Sequence, residues 1–254
     1  MSSKYILSTA SILLTLLLNA CSKRELNAGN PATIQVFNAL NDGTGVYINL
    51  TDARPEIFKT NRLLNSNTFV VTSNRFYLNA SPQPIQFYSR LDTLAKDIPI
   101  LTGNLEYQNG SIYSLFIYGS KSTAQYIWHQ DVIPPLGMGD SVTNIRFANF
   151  SEDQAISVNL KGQPAGSFIQ QVQLRSFSDF VKLPANITIA KYEFEIRDLS
   201  TGGLIASYVA DKVNDFTGNT GNNAWYNKSN TLVLVGKQGG TGTLLPKLVL
   251  MPHR

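Results

Sequence analysis

The fold of this chain is decided by Lys191–Arg197, which reads KYEFEIR. Its apolar side chains, Tyr192, Phe194 and Ile196, alternate with charged ones. A period of two is what an antiparallel strand requires when only one of its faces is buried. The segment therefore predicts a β-strand that covers a hydrophobic core.

The same local pattern extends along most of the chain. Val46–Leu50 and Ile156–Leu160 also alternate, whereas Ser111–Tyr118 and Thr231–Val235 are apolar on both faces, as central strands are. Asn-, Gly- and Pro-rich turns separate these runs, and no segment after Cys21 has a helical period. Short strands at this spacing predict an all-β protein built from immunoglobulin-like antiparallel β-sandwiches.

A weak internal repeat indicates two copies of one sandwich. Three blocks match in the same order, and the second copy carries an insertion at Asn214–Asn230. The matching segments are Thr33–Leu50 with Thr143–Leu160 (no gap, offset 110), Phe87–Arg90 with Phe194–Arg197 (offset 107), and Gly119 with Gly236 (offset 117).

The division of the chain follows from these blocks and from the segments between them. A proline pair and two glycines between Asp131 and Asp140 indicate a short linker. We expect a cleaved signal peptide at 1–20, a flexible tether at 21–32, a first sandwich at 33–131, a linker at 132–141 and a second sandwich at 142–254 with the insertion at 214–230.

The N-terminus has the layout of a secretory leader. Lys4 is followed by an apolar segment that ends in Leu18-Asn19-Ala20-Cys21, which resembles a bacterial lipobox. The alternative, a transmembrane anchor, requires about 20 apolar residues, and Tyr5–Ala20 is shorter. We therefore expect lipidation at Cys21 and localisation in the cell envelope, anchored to the outer membrane, with the protein facing either the periplasm or the cell surface.

Two segments of the second copy carry a family resemblance. Asn144–Asn149 (NIRFAN) and Ser176–Ala185 (SFSDFVKLPA) resemble the bacterial domain-of-unknown-function family 4397. Its members are secreted or lipid-anchored β-sandwich modules, often in tandem and common in the Bacteroidetes. The family's usual glycine after Leu-Pro-Ala is Asn186 here. The resemblance implies a fold and a compartment for a Bacteroidetes-type lipoprotein, and it supplies no catalytic residues.

Several classes of function have little support in the sequence. The net charge of +4 comes from scattered basic residues, so no nucleic-acid partner is expected. Cys21 is the single cysteine, which excludes an intramolecular disulfide and a thiolate metal cluster. His129 lies two positions before Asp131, a spacing that predicts a surface pair, and His253 is expected to be frayed near the C-terminus. No cofactor, metal site or catalytic residue is predicted.

The best candidate for ligand contact is the insertion. It is polar and carries Asn222, Asn223, Trp225 and Tyr226, a combination of flat aromatic faces and amides that suits sugar rings or peptides. The alternative is that Trp225 folds back onto the core, because large aromatic side chains are mostly buried.

Two short motifs indicate modification. Asp92-Thr93-Leu94 and Asp140-Ser141-Val142 resemble the O-glycosylation sequence of Bacteroidetes proteins, which makes Thr93 and Ser141 candidate acceptors.

Together these features predict a lipid-anchored, non-enzymatic envelope protein that binds a glycan, a peptide or a partner protein. A structural spacer or assembly component is the first alternative, acting through exposed strand edges. A glycan-degrading enzyme with two carboxylates is the second.

Overall fold

The structure, a computed structural model, describes residues 31–55, 58, 61–79, 81–92, 94, 97–137, 139–152, 154–215 and 223–253. Cys21, Thr93 and Asn222 lie outside the described residues, as does the predicted signal peptide.

The first half of the described chain forms two four-stranded sheets. Sheet A has the strand order β4-β1-β7-β8, and sheet B has the order β3-β2-β5-β6. The elements are β1 (Ala32–Leu40), β2 (Val46–Asn49), β3 (Leu63–Leu64), α1 (Val71–Asn74), β4 (Arg75–Leu78), β5 (Gln83–Ser89), β6 (Leu101–Leu105), β7 (Ile112–Gly119) and β8 (Gln125–Gln130).

The second half repeats this arrangement. Sheet C has the order β12-β9-β16-β17, with β13 also paired to β9, and sheet D has the order β11-β10-β14-β15. The elements are β9 (Val142–Asn149), β10 (Ile156–Leu160), β11 (Ile169–Val172), β12 (Ser176–Phe177), β13 (Val181–Pro184), β14 (Tyr192–Asp198), β15 (Leu204–Ala210), β16 (Ser229–Val235), a 3₁₀ turn (Gly242–Leu244) and β17 (Lys247–His253). The all-β class and the sandwich packing are confirmed.

One strand pair in each sandwich departs from the antiparallel expectation. β1 runs parallel to β7, and β9 runs parallel to β16. Parallel neighbours need a long crossover between them, and here nearly a whole sandwich separates the two strands in sequence. Alternation within one strand carries no information on the direction of its neighbour, so the sequence pattern could not reveal this.

Each sandwich encloses its own core between its two sheets, and β14 shows how the deciding segment contributes. Phe194 and Ile196 are buried in the second core, whereas Glu193 and Glu195 point outward. Hydrogen bonds from two lysines, Lys161 first and then Lys191, lower the pKa of Glu193 to about 2. The charged face of this strand is therefore a solvated face with paired ions.

The two sandwiches pack on each other through the outer faces of sheets A and C. On β1, Ile34 and Val36 point into the first core, whereas Phe37 and Ala39 point the other way. A third buried cluster joins the sheets, and its members are Phe37, Ala39, Phe116, Ala148, Phe150, Val233, Val235 and Met251. The layers therefore follow the order B, A, C, D, and Pro31–Arg254 form one compact unit. This packing is why the central strands are apolar on both faces.

Buried asparagines define the register of the repeat. Asn38 donates to the carbonyls of Thr44 and Leu64, and Asn149 donates in the same way to those of Gln154 and Val172, an offset of 111. The gapless alignment at offset 110 is therefore wrong for the first strand by one residue. It places Phe37 opposite Phe147, although Phe37 faces the partner sandwich and Phe147 faces its own core.

The offset between equivalent residues of the two copies changes along the repeat. Asn49 donates to Gln86, and Asn159 donates to Glu195, so the second strands do align at offset 110 while β5 and β14 align at 109 rather than 107. Gly119 and Gly236 are equivalent as expected. Gly119 ends β7 and Gly236 directly follows β16, each has a φ near +90°, and each accepts a hydrogen bond from the loop after the first strand of its sandwich.

Candidate functional site

A cleft of about 850 Å³ opens where the predicted linker passes between the two sandwiches. The linker follows β8 and contributes a continuous wall, Ile133–Leu136. The remaining lining residues come from the first sandwich (Val71, Arg75, Ile112) and from the second (Asn223, Ala224, Asn227, Lys228, Ser229, Leu250, Pro252, His253). The cleft is thus a product of how the repeats pack.

Hydrogen bonds hold the linker wall in place. Asn144, which is fully buried on β9, donates from Nδ2 to the carbonyl of Pro134 (2.9 Å) and to Ser229 Oγ (3.1 Å). Leu136 stays half-buried at the end of this wall, while Pro135 is exposed. The wall therefore presents proline rings and a leucine side chain on a fixed backbone.

A second part of the cleft lining is mostly polar and is formed by the end of the insertion. Asn227 adopts a φ of 51°, and its N–H donates to the carbonyl of Val142 (2.9 Å). The N–H of Lys228 donates to Trp225 (3.0 Å), and the Lys228 carbonyl accepts from Asn144 N–H (2.9 Å) and from Thr143 Oγ1 (3.1 Å). These bonds fix the backbone from which the Asn227 and Lys228 side chains project.

Buried polar atoms without a hydrogen-bond partner gather around this cleft. Of the eight such side-chain atoms among the described residues, five belong to lining residues or to residues bonded to them. They are Gln35 Oε1, Asn144 Oδ1, Asn227 Oδ1, Asn230 Oδ1 and His253 Nδ1. Such atoms are uncommon in native proteins, so their grouping marks this region as unlike the rest of the fold.

The insertion residues predicted to contact a ligand are placed differently from expectation. Trp225 is 4% exposed, packs in the second core near Tyr208 and donates from Nε1 to the carbonyl of Asp211 (3.1 Å). Its ring is therefore not an exposed platform, which corrects that part of the prediction. Tyr226 is half-buried, and its N–H donates to the side chain of Asn223.

Asn223 organises this part of the loop. Its Nδ2 donates to three carbonyls, those of Lys212, Val213 and Asp215, and its Oδ1 accepts from the N–H groups of Trp225 and Tyr226. It is 7% exposed, so its amide is used to shape the loop. Asn223, Ala224 and Asn227 from the predicted loop line the cleft, whereas the Trp225 ring lies in the core. Contact of this loop with a ligand stays a prediction.

Beneath the cleft lies a buried polar cluster that joins both sandwiches. Asp131 pairs with Arg146 and accepts from Ser114 Oγ (2.6 Å), and both ionic side chains are at most 3% exposed. His253 Nε2 lies 2.7 Å from Thr231 Oγ1, and its Nδ1 lies 4.0 Å from Asp131 Oδ2. The expected surface pair at Asp131 and the expected fraying of His253 are both wrong, because Asp131 is buried against Arg146 and His253 is the last residue of strand β17.

The cluster has the residue types of a hydroxyl–histidine–carboxylate triad but lacks access. Thr231 is fully buried and His253 is 3% exposed. Thr231 Oγ1 also accepts a hydrogen bond from Arg146 Nε (2.8 Å), which occupies the oxygen that would act as nucleophile. Burial lowers the pKa of His253 to about 4 and that of His129 below its usual value. The cluster therefore encloses the buried Asp131–Arg146 ion pair, and burial keeps the His253 imidazole beside it neutral near pH 7.

Of the two candidate O-glycosylation sites, the structure describes Ser141 and not Thr93. Ser141 is half-buried with a φ of 46°, its carbonyl accepts from Ala185 N–H (2.7 Å), and its glycosylation stays a prediction. Within the described ranges no cluster of three or more His, Cys, Asp or Glu side chains could hold a metal ion. No helix in the described part is long and apolar enough to cross a membrane.

Comparison with known proteins gives remote structural similarities. No protein-family model and no curated protein matches the chain. One similar structure is described as alpha-glucan binding by a streptococcal virulence factor, with 11% identity, a TM-score of 0.24 and coverage of 80% of this chain and 93% of that one. A second, from Bacteroides thetaiotaomicron, is described as polysaccharide binding, with 7% identity, a TM-score of 0.22 and coverage of 89% and 98%.

Proposed function

We propose that this protein is a non-catalytic binding protein of the cell envelope that holds a glycan segment in the cleft between its two sandwiches. The observation that carries the proposal is the cleft itself, with a linker wall fixed by Asn144 and a polar side formed by the insertion. Its volume of about 850 Å³ lies within the range of established ligand sites.

The two sides of the cleft match the two kinds of surface on a sugar ring. Pro134, Pro135 and Leu136 offer apolar area to the C–H face of a pyranose. Asn227 and Lys228 offer hydrogen-bonding groups to its hydroxyls. An extended glycan could therefore lie along the linker with its polar edge toward the insertion.

The composition of the lining supports binding without hydrolysis. Glycoside hydrolysis generally uses two carboxylates about 5–10 Å apart. The described residues that line the cleft include no Asp and no Glu, and the Asp131 carboxylate behind them is paired with Arg146. A bound glycan in this position would meet no acid–base pair.

The membrane anchor is the sequence-derived part of the proposal. The lipobox at Leu18–Cys21 and the resemblance to family 4397 support attachment of the protein through a lipid on Cys21. Cys21→Ser should move the protein from the membrane fraction to the soluble fraction, while Ser22→Ala should leave it membrane-bound. Retention of the Cys21→Ser variant in membranes would contradict lipid anchoring.

A steric variant tests the cleft as the glycan site. Leu136→Trp fills the cleft without adding charge, and Val132→Trp changes a linker residue that is 81% exposed and does not line it. On an array of neutral and acidic glycans, we expect wild type and Val132→Trp to bind the same glycans and Leu136→Trp to lose them. Unchanged binding by Leu136→Trp would place the site elsewhere, and absence of any glycan binding by the wild type would overturn the proposed function.

One edge strand favours the structural alternative. β15 is the last strand of sheet D and carries the exposed side chains of Leu204 (56%) and Val209 (49%). An exposed apolar edge can pair with another protein chain. If the protein assembles through this edge, Val209→Lys should abolish co-purification of a stable envelope partner while glycan binding is unchanged. Unaffected co-purification would contradict assembly through β15.

A further inference from the structure

We infer that the glycan recognised by this cleft is an acidic saccharide whose carboxylate is held by the ammonium group of Lys228. The inference rests on the proposed function and adds the chemical class of the ligand. The evidence for an acidic ligand is the positive charge of the residues that line the cleft, which is a separate observation from the size and shape of the cleft.

Among the described residues that line the cleft, the ionic side chains are of one sign. Arg75 comes from the first sandwich and Lys228 from the second, and no described lining residue is acidic. A cleft with charges of one sign and protein walls concentrates the field, so an oppositely charged ligand is attracted more strongly than on an open surface. A carboxylated sugar is therefore favoured over a neutral one of the same shape.

Charges behind the lining do not cancel this positive field. Asp131 Oδ2 lies 4.0 Å from His253 Nδ1, but the Asp131 charge is compensated by its buried Arg146 partner. His253 itself adds no positive charge near pH 7, because burial keeps the imidazole neutral. Among the described residues that line the cleft, the charged side chains are therefore those of Lys228 and Arg75.

Lys228 is the better placed of these two cations. The Arg75 guanidinium is already used in part, because it donates to the carbonyl of Pro252 (2.9 Å). Among the described residues no carboxylate lies within ion-pair distance of Lys228, and its backbone is held at both ends by the hydrogen bonds to Trp225, Asn144 and Thr143. The backbone that carries the Lys228 side chain is therefore already ordered, which lowers the entropy cost of an anion contact at its ammonium group.

The experiment compares acidic polysaccharides with their neutral counterparts. Polygalacturonate, alginate and hyaluronate are each presented beside the carboxyl-reduced form, which keeps the chain but removes the charge. Lys228→Met removes the proposed contact. Lys247→Met is the matched control, because Lys247 is at the opposite end of β17 from His253, roughly 20 Å away at about 3.4 Å per residue.

We expect wild type and Lys247→Met to prefer at least one acidic form over its reduced form, with an affinity that falls as salt is added. Lys228→Met should lose about tenfold for the acidic form and little for the reduced form, as expected when a charged hydrogen bond is lost.

Each alternative result has a distinct meaning. Equal binding of acidic and reduced forms, or binding of neutral glycans alone, would overturn the acidic ligand while leaving glycan binding intact. Acidic preference that survives in Lys228→Met would overturn the role of Lys228. Failure of the wild type to bind any glycan would overturn the proposed function itself.

Discussion

Arg146 on β9 and Asp131, which directly follows β8, form a buried ion pair that joins the second sandwich to the first. The guanidinium carbon also lies over the rings of Phe177 (5.0 Å) and Phe180 (4.8 Å), so the charge is enclosed by aromatic faces as well as by its partner. A buried pair contributes little net stability compared with apolar packing, yet removing one member leaves a buried charge uncompensated.

Asp131→Asn should therefore destabilise the protein strongly. We expect a loss of about 3–5 kcal/mol in the free energy of unfolding, because Arg146 would keep its charge without a counterion. Asp92→Asn breaks the more exposed pair with Lys121 and should cost less than about 1 kcal/mol. Urea unfolding of both variants measures the difference, and equal small losses would show that the Asp131 pair is solvated.

The histidine beside this pair predicts a dependence of stability on pH. Burial lowers the pKa of His253 to about 4 in the folded protein, against about 6.5 when it is unfolded. The unfolded state therefore binds more protons between these values, and stability should fall by up to about 3 kcal/mol as the pH drops from 6.5 to 4.

The groups that surround His253 allow the source of this dependence to be checked. Asp131 opposes the shift, while Arg146, Arg75 and His129 add to it. His253→Gln removes the titration and should flatten the stability profile over this range, with a smaller slope left from His129, whose pKa is also lowered. A profile as steep as that of wild type would assign the dependence to other groups.

The apolar part of the same interface gives a second stability test. Phe150 is 4% exposed and stacks on Phe116 of the first sandwich, with ring centroids 4.2 Å apart and planes 8° apart. Phe150→Ala should cost about 3–5 kcal/mol, as in a protein core, although Phe150 lies outside both sandwich cores. Tyr77→Ala, at a 66% exposed aromatic residue, should cost less than about 1 kcal/mol. Similar small losses in both variants would mean that the sandwiches do not pack together in solution.

Local periodicity made the strands predictable, but it could not assign what covers each face. The alternation of Lys191–Arg197 gave a half-buried strand, because a period of two is a property of the segment itself. The apolar outer face that includes Phe37 and Phe116 looked like that of an ordinary central strand, since sequence does not distinguish burial by another sheet of the same sandwich from burial by a second sandwich.

The site was less predictable because its parts are distant in sequence. Arg75, the linker wall and Lys228 meet only once sheets A and C have packed. Polar neighbours made Trp225 look exposed, whereas the folded chain places its ring in the second core beside Tyr208 and bonds its Nε1 to the Asp211 carbonyl. The position of His253 near the C-terminus led to the prediction that it is frayed, although it is the last residue of strand β17.

The repeated glycines provide the last prediction. Gly236 has a φ of +90°, and a Cβ on it would collide with the carbonyl oxygens of Leu245 and Leu244. Gly162 has a φ of +81°, and a Cβ there would meet nothing within 4 Å. Both alanine variants incur the strain of a left-handed backbone, about 1–2 kcal/mol. Only Gly236→Ala adds a backbone clash in the loop before β17, so we expect it to lose about 3 kcal/mol or more in urea unfolding. Equal losses in the two variants would show that this loop relaxes, and that Gly236 recurs in the repeat for its backbone conformation alone.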